Sequence, residues 1–150
     1  MHEFLFILCC ARSGAVIMSN LSNFSLKTDV EGFYNITREI TDTIKNSGIE
    51  EGTAIIYCPH TTAAIAITEN TEPEVCNDML RGLTTAFPDF PDYTHSEGNS
   101  YAHIKSCVMS CELSVIIHDG WPLLGVWQAI YFCEFDGPRE RYYYVKIIEG

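Results

Sequence analysis

Three histidines stand beside polar side chains where the chain passes between expected elements, namely His60, His95 and His103. A neutral imidazole nitrogen binds divalent metal ions, and the ring exchanges a proton near neutral pH. His60 follows a β-rich run, and the other two lie in a later polar segment. The three rings predict a site for a divalent cation, zinc or magnesium, with one position open for water or substrate.

Carboxylates and basic side chains accompany these histidines. Glu97 and Glu134, together with His60, are the candidates for acid–base catalysis, a role worth about 10²–10⁴-fold in rate. Arg139 and Lys105 are expected to hold phosphate oxygens, and Arg139 can do so in bidentate fashion. The residues expected to contact an anionic substrate are Thr61, Thr62, Asn70, Asn99, Lys105, Gln128 and Arg139.

Each of these residues also has an ordinary structural explanation. A single histidine at a strand end is more often a hydrogen-bonded structural residue than a ligand. Asp136 and Gly137 form a hairpin turn signal, and the segment 97–99 can be plain loop. His118 precedes an Asp-Gly pair with turn chemistry, and it is left out of the predicted site. The site is predicted from the co-occurrence of these residues, since no single spacing is diagnostic.

The elements expected to position these residues are two helices and several strands. Apolar residues from Phe33 to Ile44 recur at helical spacing, with Thr28 and Glu31 as a capping box and Gly48 as the stop. A second helix is expected to start at an N-cap Thr71, with Pro in its first turn. The predicted strands are 24–27, 53–58, 63–68, 101–109, 113–117, 126–135 and 141–148. Mainly hairpin-linked strands with two helices predict an α+β fold of antiparallel or mixed sheets.

The predicted strands place the polar residues on common faces. In an extended 101–109 segment, Tyr101, His103 and Lys105 share one face, because side chains alternate along a strand. By the same rule Gln128 and Glu134 project to one side, with Arg139 returning toward it after a turn.

Composition limits the partners. The chain has 150 residues and a formal net charge of −11, so nucleic acid and anionic membrane surfaces are disfavoured. A divalent cation or a local arginine can still reverse the potential inside a cleft, which leaves small anionic molecules as plausible substrates. The seven cysteines contain no C-x-x-C pair, and their apolar settings are typical of buried thiols in a reducing cytoplasm.

The N-terminus differs from the rest of the chain. Residues 4–11 form an apolar run too short to span a bilayer, and no Lys or Arg precedes it as a signal peptide would require. Residues 1–17 are therefore interpreted as an extension without function, with a cleaved signal as the alternative, and 18–150 as one domain.

Five motifs in order from about residue 24 onward resemble the YjbQ-like family of bacteria and archaea. They are Pro59-His60-Thr61-Thr62-Ala63-Ala64, Thr68-Glu69-Asn70, His95-Ser96-Glu97-Gly98-Asn99, Ala102-His103-Ile104-Lys105, and Gly125-Val126-Trp127-Gln128 continuing to Glu134-Phe135-Asp136-Gly137-Pro138-Arg139. The resemblance implies a sandwich-like α+β homotrimer with the three histidines near one polar cleft. It also implies secondary thiamine-phosphate synthase activity, which joins a pyrimidine diphosphate to a thiazole phosphate. Tyr101 stands where the family usually has Asp.

Two classes of function follow from these residues. The first is a metal-assisted enzyme acting on a small phosphorylated or diphosphorylated molecule, and phosphoester or amide hydrolysis would use the same groups. The second is a non-catalytic trimeric module that binds a metal ion or an anionic metabolite. A purely structural role for the histidines is a third interpretation.

Overall fold

The computed structural model describes residues 20–150. The predicted N-terminal extension, residues 1–17, lies outside the described residues. No helix among residues 20–150 is long and apolar enough to cross a membrane.

Two antiparallel sheets organise the described chain. The larger sheet has the order β1-β8-β3-β5-β6 and the smaller one the order β2-β7-β4. The strands of the larger sheet are β1 (Leu21–Thr28), β3 (Gly52–Tyr57), β5 (Glu112–His118), β6 (Trp121–Pro122) and β8 (Arg139–Glu149). Those of the smaller sheet are β2 (Gly32–Asn35), β4 (Ala63–Glu69) and β7 (Gln128–Glu134). Three helices complete the fold: α1 (Thr37–Ser47), α2 (Pro73–Ala86) and α3 (Ser100–Met109).

The three-stranded sheet is the central layer, because buried apolar side chains cover both of its faces. One face packs against the five-stranded sheet and α1, and the other against α2 and α3. The larger buried cluster contains Ile36, Ile40, Ile44, Ala54, Ile56, Cys58, Ala63, Ile65, Val115, Ile117, Ile130, Phe132, Tyr143, Val145 and Ile147. The smaller one contains Ala64, Ala102, Ala129, Tyr131, Cys133 and Phe135. Burial on both faces explains why β7 reads as a continuous apolar run rather than an alternating one.

The prediction of an α+β fold with antiparallel sheets is confirmed, and the number of helices differs. The segment predicted as a strand over 101–109 is the helix α3. Its buried residues Ala102, Lys105 and Ser106 recur at spacings of three and one, which fits a helix face and not a strand face. The predicted common face of Tyr101, His103 and Lys105 is therefore wrong.

The start of the first helix also differs from the prediction. Phe33 belongs to β2 and pairs with Cys133 of β7, so the helix begins only at Thr37 and the predicted cap by Thr28 and Glu31 is wrong. Gly48 does end α1, with a left-handed φ of 71° that suits glycine. The residue preceding α2 is Glu72, one position after the predicted N-cap.

Candidate functional site

His60 lies in the connection between β3 and β4, and the N-terminal part of β8 passes beside it. Its Nε2 accepts a hydrogen bond of 2.8 Å from the backbone N–H of Tyr142, and the two rings stack with centroids 6.4 Å apart. Burial, followed by the positive charge of Arg141, lowers the pKa of His60. The ring is therefore neutral near pH 7, with its proton on Nδ1.

This tautomer changes the role expected of His60. A neutral imidazole that accepts through Nε2 has its remaining nitrogen protonated, so Nδ1 can donate a hydrogen bond but has no lone pair for a metal. The geometry thus supports His60 as a donor to an anion and does not support it as a metal ligand.

A cavity of about 580 Å³ opens in front of His60. Its wall includes His103 and Ser106 from α3, and the exposed Thr61 beside His60. Three cysteines also line it, namely Cys58, Cys107 and Cys111. The connection after β3 and one side of α3 thus form the opposite walls of a single histidine cleft.

His95 and His103 form a close pair beside α3. Their ring centroids lie 5.2 Å apart at an interplanar angle of 71°, and both rings line a second cavity of about 600 Å³ with Asp92 and Thr94. Neither ring has a hydrogen-bond partner among residues 20–150. Two imidazoles with free nitrogens at this spacing can supply two ligands to one divalent cation.

The predicted set of three metal-binding histidines does not assemble within one described chain. Among residues 20–150, only Glu51, His118 and Asp119 bring three potential ligand atoms within 4.8 Å of one another. His118, interpreted from the sequence as a turn residue, is the last residue of β5 and adjoins the turn at Asp119. All three side chains are exposed, and His118 Nδ1 lies 2.9 Å from Glu51.

Glu134, one of the predicted acid–base residues, is enclosed in an ion pair with Arg141. The carboxylate is fully buried, and its two oxygens accept from Arg141 Nε at 2.6 Å and from a terminal guanidinium nitrogen at 2.5 Å. It also accepts from the Thr28 hydroxyl at 2.9 Å and the Asp136 backbone N–H at 2.8 Å. Burial alone would raise the pKa of Glu134, but these hydrogen bonds outweigh burial and lower it. A carboxylate with every oxygen occupied is not available for proton transfer to a substrate.

The same ion pair fixes the loop that carries His60. Arg141 donates to the Thr62 hydroxyl at 2.8 Å, and the backbone N–H of Phe135 donates to the Thr62 carbonyl at 3.1 Å. Arg141 also precedes Tyr142, whose N–H orients the His60 ring. Thr62 is thus buried and structural, and contact with substrate is left to Thr61.

Asn99, Asp136 and Arg139 form a second polar group near the start of α3. Asn99 donates to Asp136 at 2.9 Å, and Arg139 donates to the same carboxylate oxygen at 2.7 Å. Burial would raise the pKa of Asp136, but the bonds from Asn99 and Arg139 lower it. The Arg139 side chain remains about half exposed, so it can still face an anion, and the exposed Glu97 contributes to its charge environment.

Lys105, expected to hold phosphate, points into the protein instead. Only 1% of its side chain is exposed, and its ammonium donates to Glu31 at 3.0 Å and to Thr84 at 3.1 Å. Because α3 is a helix, Lys105 lies about 200° around the axis from His103. The Tyr101 ring lies 5.0 Å from the same ammonium, so Tyr101 packs against Lys105.

Asn70 and Gln128 lie apart from the cleft, at the other end of the small sheet. Asn70 accepts from Asn35 and from the Tyr131 hydroxyl, both at 2.9 Å, and it lines a cavity of about 430 Å³ beside α2. Gln128 is exposed and accepts from the Gly125 backbone N–H at 2.7 Å. Neither side chain is positioned to share a ligand with His60.

Sequence reasoning missed two residues that organise the cleft, Arg141 and Asp136. The sequence pattern predicts Arg141 only as the first residue of a strand and Asp136 only as a turn residue. The available signal was the alternation of β8, in which Arg141 falls on the same face as the buried Tyr143, Val145 and Ile147. An arginine on a buried strand face requires a carboxylate partner.

The fold and the site define an α+β domain of two antiparallel sheets with a histidine-lined cleft between a strand connection and a helix. Residues 22–150 match the family model of the UPF0047 protein YjbQ-like family, and the chain belongs to this family. It is 47% identical over 134 residues to a UPF0047 protein of Methanocaldococcus jannaschii, covering 89% of this chain and 97% of that protein. It is 48% identical over 115 residues to the UPF0047 protein YugU of Bacillus subtilis, covering 76% of this chain and 87% of that one.

Solved structures share the fold. The chain superposes on a YjbQ/UPF0047 protein of Clostridium acetobutylicum with a TM-score of 0.83 at 48% identity, covering 85% of this chain and 99% of that one. A YbjQ-like protein of unknown function from Sulfolobus solfataricus gives a TM-score of 0.82 at 26% identity, covering 87% and 96%. The resemblance drawn from the five motifs is therefore confirmed.

Proposed function

We propose that this chain is a metal-assisted enzyme acting on a small phosphorylated or diphosphorylated molecule. The observation that carries the proposal is the pair of His95 and His103, whose rings lie 5.2 Å apart with free nitrogens and beside two cavities. Two imidazoles favour zinc over magnesium, because magnesium prefers oxygen ligands. When bound, such an ion would supply the positive charge that phosphate oxygens need on a chain of net charge −11.

The remaining roles follow from the hydrogen-bonding groups that each side chain still has free. His60 presents its Nδ1–H to the cleft and can donate to a phosphate oxygen or a leaving group. Arg139 supplies a half-exposed guanidinium, and Glu97 is the exposed carboxylate still available as an acid or base. Thiamine-phosphate synthesis is the particular reaction to assay, since its pyrophosphate leaving group needs this combination of cation and donors.

Assembly as a homotrimer is part of the same proposal. The outward face of the five-stranded sheet exposes several large apolar side chains, and two of them, Ile116 and Ile148, are register partners of Thr53 on either side of β3. The exposed apolar side chains are Leu21, Tyr57, Ile116, Tyr142 and Ile148. Large apolar side chains exposed on one sheet face support the proposal that a protein partner covers this face. A neighbouring subunit packed there could supply the additional ligands that the pair of His95 and His103 lacks within one chain.

A non-catalytic metal- or metabolite-binding module is the second candidate. The burial of Glu134 favours it, because the ion pair with Arg141 removes one of the two expected acid–base carboxylates. The other, Glu97, lies in an exposed loop with no partner that fixes its orientation among residues 20–150. Turnover separates the two candidates, since a binding module saturates without product.

The first experiment is elemental analysis of protein purified without chelators, comparing wild type with His103→Ala. We expect near-stoichiometric zinc in the wild type and its loss in the variant. His118→Ala tests the competing cluster of Glu51, His118 and Asp119, and it should retain zinc because it leaves the pair untouched. Equal metal content in wild type and His103→Ala would refute the ligand assignment. If zinc is bound, product formation from a pyrimidine diphosphate and a thiazole phosphate then distinguishes enzyme from binding module.

A further inference from the structure

Two cysteines face each other at the end of the ladder between β3 and β5. The register pairs Tyr57 with Glu112, so the next pair outward is Cys58 and Cys111. The Cys58 backbone N–H donates to the Cys111 carbonyl at 2.8 Å, which confirms that the antiparallel alignment continues to this pair.

This alignment suits a covalent bond between the two thiols. Directly opposed residues of an antiparallel pair point to the same face, and hydrogen-bonded pairs have Cα atoms about 5.5 Å apart. Disulfides span Cα separations of about 4.4–6.8 Å. Cys111 precedes β5 and follows Ser110, which has a φ of 90°, so regular strand pairing constrains its backbone on one side only.

Both sulfur-bearing residues line the cavity in front of His60 and His103. They differ in access, because Cys58 is only 1% exposed whereas Cys111 is exposed. An oxidant arriving through the cleft therefore meets Cys111 first, and Cys58 is the thiol positioned behind it. Cys107 also lines the cavity, one turn beyond His103 on α3, but it has no strand partner that aligns it with either cysteine.

We propose that Cys58 and Cys111 form a reversible disulfide in response to hydroperoxides, and that this bond is a redox switch of the histidine cavity. The Cys111 thiolate attacks hydrogen peroxide, giving a sulfenic acid and hydroxide. The sulfur of Cys58 then attacks the Cys111 sulfur and forms the S–S bond. The S–O bond of the sulfenic acid breaks, and its hydroxyl group leaves as water with the proton of the Cys58 thiol. Two thiols are oxidised and one peroxide is reduced to two waters in total. A dithiol reductant reverses the bond by thiol–disulfide exchange.

The test uses the full chain, reduced, freed of reductant and treated with hydrogen peroxide in equimolar amount. We expect the wild type to lose two thiols and two hydrogens, with a peptide map that joins Cys58 to Cys111 and reversal by dithiothreitol. Cys107→Ser is the matched control and should oxidise in the same way. Cys111→Ser, an exposed position that leaves the fold intact, should not form the linkage.

Other products overturn the proposal. A bond from Cys107 to Cys111, a bond between two chains, or overoxidation of Cys111 with Cys58 still open to alkylation each excludes the assigned pair. The switch has its own readout, which is the imidazole signals of His60 in nuclear magnetic resonance spectra. They should shift on oxidation while those of His118 stay in place, and unchanged His60 signals in the cross-linked protein would exclude coupling to the cavity. Neither measurement requires bound metal, so the result is independent of the proposed enzyme activity.

Discussion

Replacing Glu134 with Gln tests the buried ion pair that fixes the cleft. The carboxylate accepts four hydrogen bonds, two on each oxygen. A glutamine side chain places an NH₂ group opposite the two donors on one side, so at least one Arg141 bond is lost and the guanidinium remains buried without a counter-charge. Breaking a buried pair in this way costs about 3–5 kcal/mol.

The expected loss is large enough to measure by urea or thermal unfolding. For a chain of this length about 1 kcal/mol shifts the melting temperature by about 2–4 °C, so Glu134→Gln should melt roughly 10 °C below wild type. The matched control is Asp42→Asn, which breaks the exposed pair with Arg38 and should cost under about 0.5 kcal/mol. Comparable losses in the two variants would show that burial of the Glu134 pair does not carry the stability assigned to it.

The pH dependence provides a second check on the same residue. The pKa of Glu134 is lowered in the folded protein, so the unfolded state binds the proton more readily. The stabilisation is therefore complete above the ordinary glutamate pKa of about 4.3 and is lost as pH falls through the lower folded value. Glu134→Gln should remove this part of the acid sensitivity; an acid branch identical to wild type would contradict the sign of the shift.

Three further outcomes are expected. The pKa of His60 is lowered, so its ring should titrate below about 6.5 in NMR spectra. Protein stability should fall as pH drops below that value, since the unfolded chain gains the proton first. Titration of His60 above about 6.5 would refute the assignment of a neutral ring. Lys105→Met should cost about 1–2 kcal/mol in urea unfolding, less than Glu134→Gln because its partner Glu31 stays partly hydrated, and should leave phosphate affinity unchanged; weaker phosphate binding would restore its predicted role. Ile116→Lys should reduce the mass measured by light scattering to that of a monomer while the melting transition persists, and an unchanged mass would exclude the outer sheet face as the interface.

The sequence predicted the strands well where pattern and burial agree. The runs around β3, β4, β5 and β8 were located to within a few residues, because their apolar residues either alternate or form short continuous blocks. The boundary at β2 was missed because Phe33 and Ile36 share a helical spacing by coincidence, while Phe33 pairs with Cys133 in the sheet. Local periodicity carries no information about a strand partner 100 residues away.

The candidate site was predicted less well for a physical reason. Glu134 and Lys105 are charged, and charge usually indicates exposure, but both are buried by partners that are distant in sequence. Lys105 lies on the buried face of α3 and interrupts its apolar residues, so the helical pattern is weak in the sequence. The alternation of Tyr101, His103 and Lys105 with apolar residues therefore predicted a strand. His60 and His103 line the same cavity, whereas His95 does not.

The position of β7 has a consequence for how the molecule opens. This strand is hydrogen-bonded to β2 and β4 and is covered on both faces, so the amide hydrogens of residues 129–134 should be among the last to exchange with solvent. Glu134 lies at its carboxyl end, and Asp136 follows two residues later. The anionic anchor of Arg141 therefore belongs to the most protected unit of the fold, whereas His95 lies in an exposed loop. Amide hydrogen exchange should therefore be slow in β7, which carries Glu134, and fast in the loop that carries His95.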